Sequence, residues 1–270
     1  MLTVEDIDEL ASFALDLADA AREVTLPHFR SGLSVENKPG STLAYRAYDP
    51  VTAADRDAET VIRGLIKSRY RDHGIHGEEH GIEKGSSPLT WVIDPIDGTR
   101  SFISGVPLWG TLIALNDGTR PIIGVMDQPY IGERFVGRPG GSQVQGPHGT
   151  RPLQTRDCTK LSDAIFGCTD PGIFAEGYET GIYEAVSGRA RLRRFGGDCY
   201  FYCMLAAGTF DVVMEANLQA YDIQALIPII EEAGGIVTDW EGGDAQNGGR
   251  VLCSASADLH AEVLNLIKSV

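Results

Sequence analysis

An α+β half followed by an α/β half is the fold class this sequence predicts, and three observations predict it. Two amphipathic helices open the chain. Four β-type segments then succeed one another from about residue 90 to 137, separated by short turns. Past residue 150 the rhythm changes to alternating strand and helix. The expected division is an N-terminal α+β subdomain over 1–145 and a C-terminal α/β subdomain over 146–270.

The first helix is carried by Val4, Ile7, Leu10, Ala14, Leu17, Ala21 and Val24, spaced three and four apart, with Thr3 and Asp6 as a capping box. Residues 31–50 read as a loop with a short strand. A second helix is predicted from Thr52 to Arg69, capped by Thr52 and Asp55, with Val61, Ile62, Leu65 and Ile66 facing inward. TWVID, WGTLIAL, PIIGVMD and ERFVG are the meander strands. The stretch 137–150 holds five glycines and is the expected subdomain boundary. Beyond it AIFGC, RLRRF, DVVME, IVTDW and VLCSAS read as strands. Helices are expected near 175–187, over CYFYCMLAAG, from Asp222 to Ala233 and at the C-terminus. Gly234-Gly235 stops the third of these, and Pro228 should kink it.

At 270 residues, 43% hydrophobic and 23% charged, the chain is an ordinary globular sequence with ample apolar residues for a core. No run approaches the ~20 apolar residues that cross a bilayer. The acidic, amphipathic N-terminus lacks a signal-peptide pattern, so a cytoplasmic protein is expected. Five scattered cysteines without a CxxC pair support neither a zinc site nor a disulfide framework. Cys199 and Cys203, four apart, read as small buried apolar residues. A net charge of −15 argues against nucleic acid as a partner. It would also repel a phosphate ester unless cations intervene.

The segment WVIDPIDGTRSF, residues 91–102, bears on that point. An apolar strand ends in Asp94, Pro95 restrains the turn, and Asp97 follows before Gly98-Thr99. Two carboxylates on a rigid strand end suit Mg²⁺, which takes few carboxylates and keeps other positions for water and phosphate oxygens. Amides at Gly98, Thr99 and Arg100, if they open a helix, would accept the phosphate. A capped β-turn accounts for the same residues. An EF-hand does not fit, because the closing Glu is missing. HGEEHG adds Glu78 and Glu79 in a glycine-flanked turn. Tyr221-Asp222 introduces a helix, where an N-cap also explains the Asp. His73, His76 and His80 have zinc-like spacings, but Gly74, Gly77 and Gly81 argue against the helix such a site needs.

The order DPVTAAD (49–55), GEE, DPIDGT, and an aromatic-Asp pair before a helix ending in AGG resembles the inositol-monophosphatase superfamily. The resemblance spans residues 49–235. It implies a layered αβαβα sandwich of the inositol-monophosphatase/fructose-bisphosphatase type and Mg²⁺-dependent hydrolysis with two or three ions per site. By that resemblance Glu78, Asp94 and the Ile96 carbonyl match the ligands of one ion, and Asp94, Asp97 and Asp222 those of a second. Asp49 and Thr99 match a pair that, with Glu78, positions and deprotonates the attacking water. Glu79 matches a residue just outside the ligands that also touches a third ion. No Ser, Cys or His nucleophile is required. The family's W-D-x-A-[AG] reads Tyr221-Asp222-Ile223-Gln224-Ala225, which puts subfamily and pocket shape in question but keeps the ligand.

Within the superfamily, Arg100-Ser101 in DGTRSF, together with SGVPLWGTLIAL, RRFGGDCYFY and YDIQALIPIIEEAGG, looks like the histidinol-phosphate phosphatases of histidine biosynthesis. Histidinol phosphate carries an ammonium and an imidazole, which Asp198 and Glu215 would receive; Arg100 and Arg194 would contact phosphate. Structural salt bridges are the alternative role for these residues. Inositol-1-phosphate hydrolysis is the second expectation and bisphosphorylated nucleotides or sugars the third; a regulatory family member without turnover is the alternative from another class. The resemblance also implies a homodimer.

Overall fold

The computed structural model describes residues 2–32, 36–37 and 50–270, the side chains of 37, 50 and 51 excepted. Helix α1 (Val4–Thr25) and helix α2 (Ala53–Arg69) both begin in the expected capping boxes, at Thr3/Asp6 and Thr52/Asp55. Strands β1 (Glu36–Asn37) and β2 (Pro50–Val51) form a two-residue antiparallel ladder. The remainder of the 31–50 expectation lies outside the described residues.

Next come β3 (Gly74–Gly77), β4 (Gly81–Glu83), β5 (Thr90–Asp97), the short helix α3 (Thr99–Ser104), β6 (Gly110–Asn116), β7 (Pro121–Gln128), β8 (Glu133–Arg138), β9 (Gly141–Gly146) and β10 (Gly149–Pro152). These strands form one sheet in the order β10-β9-β8-β7-β6-β5-β3-β4, antiparallel except where β3 pairs with β5. The chain continues through β11 (Ile165–Cys168), α4 (Tyr178–Ser187), β12 (Leu192–Phe195), α5 (Asp198–Ala206), β13 (Val212–Leu218), α6 (Ala220–Ile223), α7 (Leu226–Glu231), β14 (Ile236–Asp239), β15 (Gly249–Ser254) and α8 (Ala257–Ile267). Their sheet runs β12-β11-β13-β15-β14, parallel around β11 and antiparallel around β15.

Both faces of each sheet are covered, which gives five layers. Leu10, Leu17, Ile62 and Ile66 of the first two helices pack on Trp91, Ile93, Ile113 and Val125. From the opposite face of that sheet, Leu112, Met126 and Phe135 meet Cys203, Ile223 and Ile229 of the middle helices, which in turn reach Val213 and Cys253 of the second sheet. Phe166, Met214 and Leu252 then pack against Tyr183, Leu259 and Val263 of α4 and α8. Trp91 and Ile93 face one layer and Val92 the other. That two-sided burial is why β5 reads as a continuous apolar run.

Four expectations need correction. Val61 is 39% exposed, because the buried face of α2 runs through Ala54, Asp55, Ala58, Glu59, Ile62, Arg63 and Ile66. Val4, in the first turn of α1, is 70% exposed. The stretch 137–150 is no linker: its glycines turn a hairpin that pairs β9 with both β8 and β10. The first sheet therefore ends at Pro152, beyond the expected 145/146 boundary. Finally, the helix from Asp222 to Ala233 is two helices. The backbone stays right-handed through Gln224 and Ala225. Pro228, however, has no N–H for the Gln224 carbonyl, so the hydrogen-bond ladder breaks four residues before it.

This helix pair crosses β7 at Gly124, where an added Cβ would lie 1.9 Å from the Ala225 carbonyl oxygen. Only a missing side chain permits that approach, and the approach seats Asp222 beside the end of β5. Gly124→Ala is expected to cost about 1–3 kcal/mol by overpacking, read as a lower urea midpoint; an unchanged midpoint would show that the helix floats free of the sheet.

Candidate metal and phosphate site

In a regular strand, residues three apart point to opposite faces. Asp94 and Asp97 nevertheless converge. Asp94 pairs with Leu112 and Asp97 with Gly110, so three steps on β5 oppose two on β6. That β-bulge adds the residue that returns Asp97 to the face of Asp94. Two hydrogen bonds hold it: the Ile96 amide donates to Asp94 Oδ1 at 3.0 Å, and the Thr111 hydroxyl to the Pro95 carbonyl at 2.8 Å. Beyond it Gly98, at φ +79°, starts α3.

Asp222 arrives from the other half of the chain. It is the third residue after Gln219 in a capping box and accepts the Gln219 amide at 2.6 Å. The cap role and the site role coexist in one carboxylate. Oxygens of Asp94, Asp97 and Asp222 lie within 4.8 Å of one another. Glu78, from the turn between β3 and β4, lines the same cleft of about 180 Å³, as do Ile96, Gly98, Thr99 and Arg100. The Thr99 hydroxyl donates to the Ile96 carbonyl at 3.1 Å. Its expected partner Asp49 lies outside the described residues.

Asp198 and Glu215 also line the cleft. Asp198 opens α5 at φ +42°, a costly conformation for a residue with a side chain. Its Oδ2 accepts the Ser101 hydroxyl at 2.8 Å. Glu215, 2% exposed on β13, accepts the Thr169 amide at 2.6 Å. Thr169 was missed from sequence and Ser101 was read only as a subfamily feature; each acts through a partner distant in the chain.

Two expected residues lie outside the cleft lining. Glu79 is half-buried in the β3–β4 turn but does not line the cleft. Arg194 belongs to the edge strand β12, where Leu192 through Phe195 are all exposed, and it does not line the cleft. A charged side chain on an outer sheet edge is accounted for without a ligand. The histidines form no cluster: His73 stacks on Tyr70, His76 meets the edge of Tyr221, and His80 contacts the Thr60 hydroxyl. All five cysteines are free and buried. Burial pushes the Cys199 and Cys203 thiols well up, which leaves them unreactive.

The electrostatics test whether these residues suit a cation. Burial, then the charges of Glu78, Asp97 and Asp222, push the Asp94 carboxyl well above the usual carboxylate range. Asp97 is pushed up to about 7, by burial first and then by Asp198. Across the turn Asp55 is raised to about 6 by burial, with Glu78 adding to it, and one of its oxygens has no hydrogen-bond partner. Crowded carboxylates that resist ionisation fit a hard divalent cation, whose charge removes the repulsion. Asp94, Asp97, Asp222 and Glu78, with the Ile96 carbonyl, are the groups that would hold it.

The sign of the linkage is fixed by these upward shifts. Protons stabilise the folded metal-free protein, and that stability is lost as pH rises from the unfolded carboxylate range through about 7. At pH 7.5, Asp94→Asn is expected to raise the Tm of the metal-free protein, by about 2–4 °C for each kcal/mol of repulsion relieved, and to abolish any Mg²⁺-induced rise. A lower Tm would contradict the crowding.

Comparison with known proteins agrees with this geometry. The chain matches the inositol monophosphatase family over residues 6–270. It is 38% identical to the bifunctional phosphatase IMPL2, chloroplastic, of Arabidopsis thaliana, over 98% of this chain and 72% of that protein. It is 36% identical to a histidinol-phosphatase of Streptomyces coelicolor, over 93% and 94%. A solved inositol monophosphatase of Zymomonas mobilis superposes with a TM-score of 0.84 at 34% identity, over 97% and 98%. With its two mixed sheets flanked by helices and its acidic cleft, this chain belongs to the inositol monophosphatase family and is a metal-dependent phosphomonoesterase.

Proposed function

We propose that the chain hydrolyses L-histidinol phosphate to L-histidinol and phosphate, with Mg²⁺ in the acidic cleft. The observation that carries the proposal is Asp198. It is a carboxylate outside the metal-binding set, held against backbone strain in the same cleft, beside Gly98 and Asp97. A neutral polyol would offer such a group hydroxyl donors but no counter-charge. A substrate with an ammonium and an imidazole neutralises it, and Glu215 beside it offers a second acidic contact. The similarity to a Streptomyces coelicolor histidinol-phosphatase supports the same substrate.

When bound, Mg²⁺ would screen the phosphate charge and acidify a water. The chain's own groups do the rest. Glu78, which lines the cleft, would take a proton from the attacking water, and the Thr99 hydroxyl, hydrogen-bonded to the Ile96 carbonyl, would help to aim it. Arg100 and the amides that begin α3 at Gly98 and Thr99 line the cleft and would contact the phosphate. Positioning and charge neutralisation are most of what phosphoryl transfer to water needs.

The similarity to the Zymomonas mobilis inositol monophosphatase favours a second reading, inositol 1-phosphate. A regulatory member without turnover would be expected to lose a ligand carboxylate, and Glu78, Asp94, Asp97 and Asp222 are all present. Phosphate release from histidinol phosphate and inositol 1-phosphate, measured side by side with Mg²⁺, separates the three. Histidinol phosphate should be strongly preferred, Asp94→Asn inactive, and Asp198→Asn should lower kcat/KM for histidinol phosphate about tenfold or more. Preference for the inositol ester, with Asp198→Asn neutral, would assign the second reading. No release from either would favour the regulatory member.

A further inference from the structure

The buried face of α2 carries three charged residues in successive turns: Asp55, Glu59 and Arg63 are 1%, 0% and 8% exposed. Apolar side chains of similar size would be as good or better for stability at such positions. The contacts of the last two explain their presence. Glu59 Oε2 accepts the Glu79 amide at 2.7 Å, and Oε1 accepts the His80 amide at 3.2 Å. Arg63 Nε donates to Glu59 Oε1 at 2.7 Å, while its Nη2 donates to the Gly81 carbonyl. The remaining amide of the turn, that of Glu78, donates to the Ile93 carbonyl of β5 at 3.2 Å.

Every amide of the turn 78–80 is thus anchored, two of them to a single side chain. The fit is close enough that a Cβ on Gly77 would lie 2.0 Å from Glu59 Oε1. Nothing else in α2 requires Glu59. We infer that Glu59, braced by Arg63, is a positioning residue that sets the Glu78 carboxylate at the metal site by clamping the backbone of its turn. The inference rests on the metal-site reading of the cleft. Glu59 itself does not line the cleft, and its bonds to Glu79 and His80 are to their backbone amides.

The test is Mn²⁺ binding by titration calorimetry to folded protein, with KM and the Mg²⁺ activation constant measured alongside. The variants are Glu59→Gln, which keeps one acceptor oxygen but sets an NH₂ against an N–H donor, and Arg63→Lys, which keeps the charge but loses the fork. Ile62→Val, on the same helix in the apolar core, is the control for stability alone. Glu59→Gln is expected to weaken Mn²⁺ binding and raise the Mg²⁺ activation constant about tenfold, with KM at saturating Mg²⁺ within about twofold. Arg63→Lys should do the same by about threefold, and should decide the question if Glu59→Gln does not fold. Ile62→Val should lower Tm and leave affinity unchanged. Lower Tm with wild-type affinity in Glu59→Gln and Arg63→Lys would overturn the positioning role. Failure of the wild type to bind Mn²⁺ would overturn the metal site beneath it.

Discussion

Carboxylates held at the end of β5 repel one another, and much of the surrounding structure exists to keep them close. Asp94 is fully packed, its amide neighbour Ile96 donates to it, and Asp97 is brought alongside by the bulge. Asp222 crosses from the second half of the chain to join them. Such an arrangement is expensive in the absence of a counter-charge, because each acid is both desolvated and faced by like charge. Catalytic sites of this kind store instability that a bound cation relieves, so stability and function pull in opposite directions at the same atoms.

The five-layer fold explains how the repulsion is tolerated. The site lies where the first sheet, the middle helices and the second sheet meet, and apolar packing on both faces of both sheets anchors the backbone around it. Away from the cleft, Asp127 is paired between Arg22 and Arg134, while Asp55 keeps one oxygen without a hydrogen-bond partner. The mutually crowded acids are concentrated where a phosphate ester and its cations would sit. The same reasoning reconciles a chain of net charge −15 with an anionic substrate: long-range repulsion is reversed locally.

What could be read from sequence follows the range of the interactions. The capping boxes at Thr3 and Thr52, the meander strands and the DPIDGT turn are set within a few residues, and they are found where expected. The site residues Glu78, Asp94, Asp97 and Asp222 were legible because they sit in local motifs whose order resembles a family. Long-range effects were not legible. That Asp94 and Asp97 share a face depends on pairing with β6. Arg194 reads as a phosphate contact until its strand proves to be an outer edge. The glycines of 137–150 signal tight turns, and turns join strands of one sheet as readily as they separate subdomains. Glu59 and Arg63 look like an ordinary i,i+4 surface pair; only the β3–β4 turn above them shows that they are buried.

The most direct measurement is a crystal structure of the protein grown with Mn²⁺, with anomalous differences collected at the manganese edge. The crowding of Asp94, Asp97 and Asp222 predicts a strong peak among their oxygens, with Glu78 turned toward it. A map with no anomalous peak in that cleft, from crystals that show manganese elsewhere, would contradict the claim that these acids are held together for a cation.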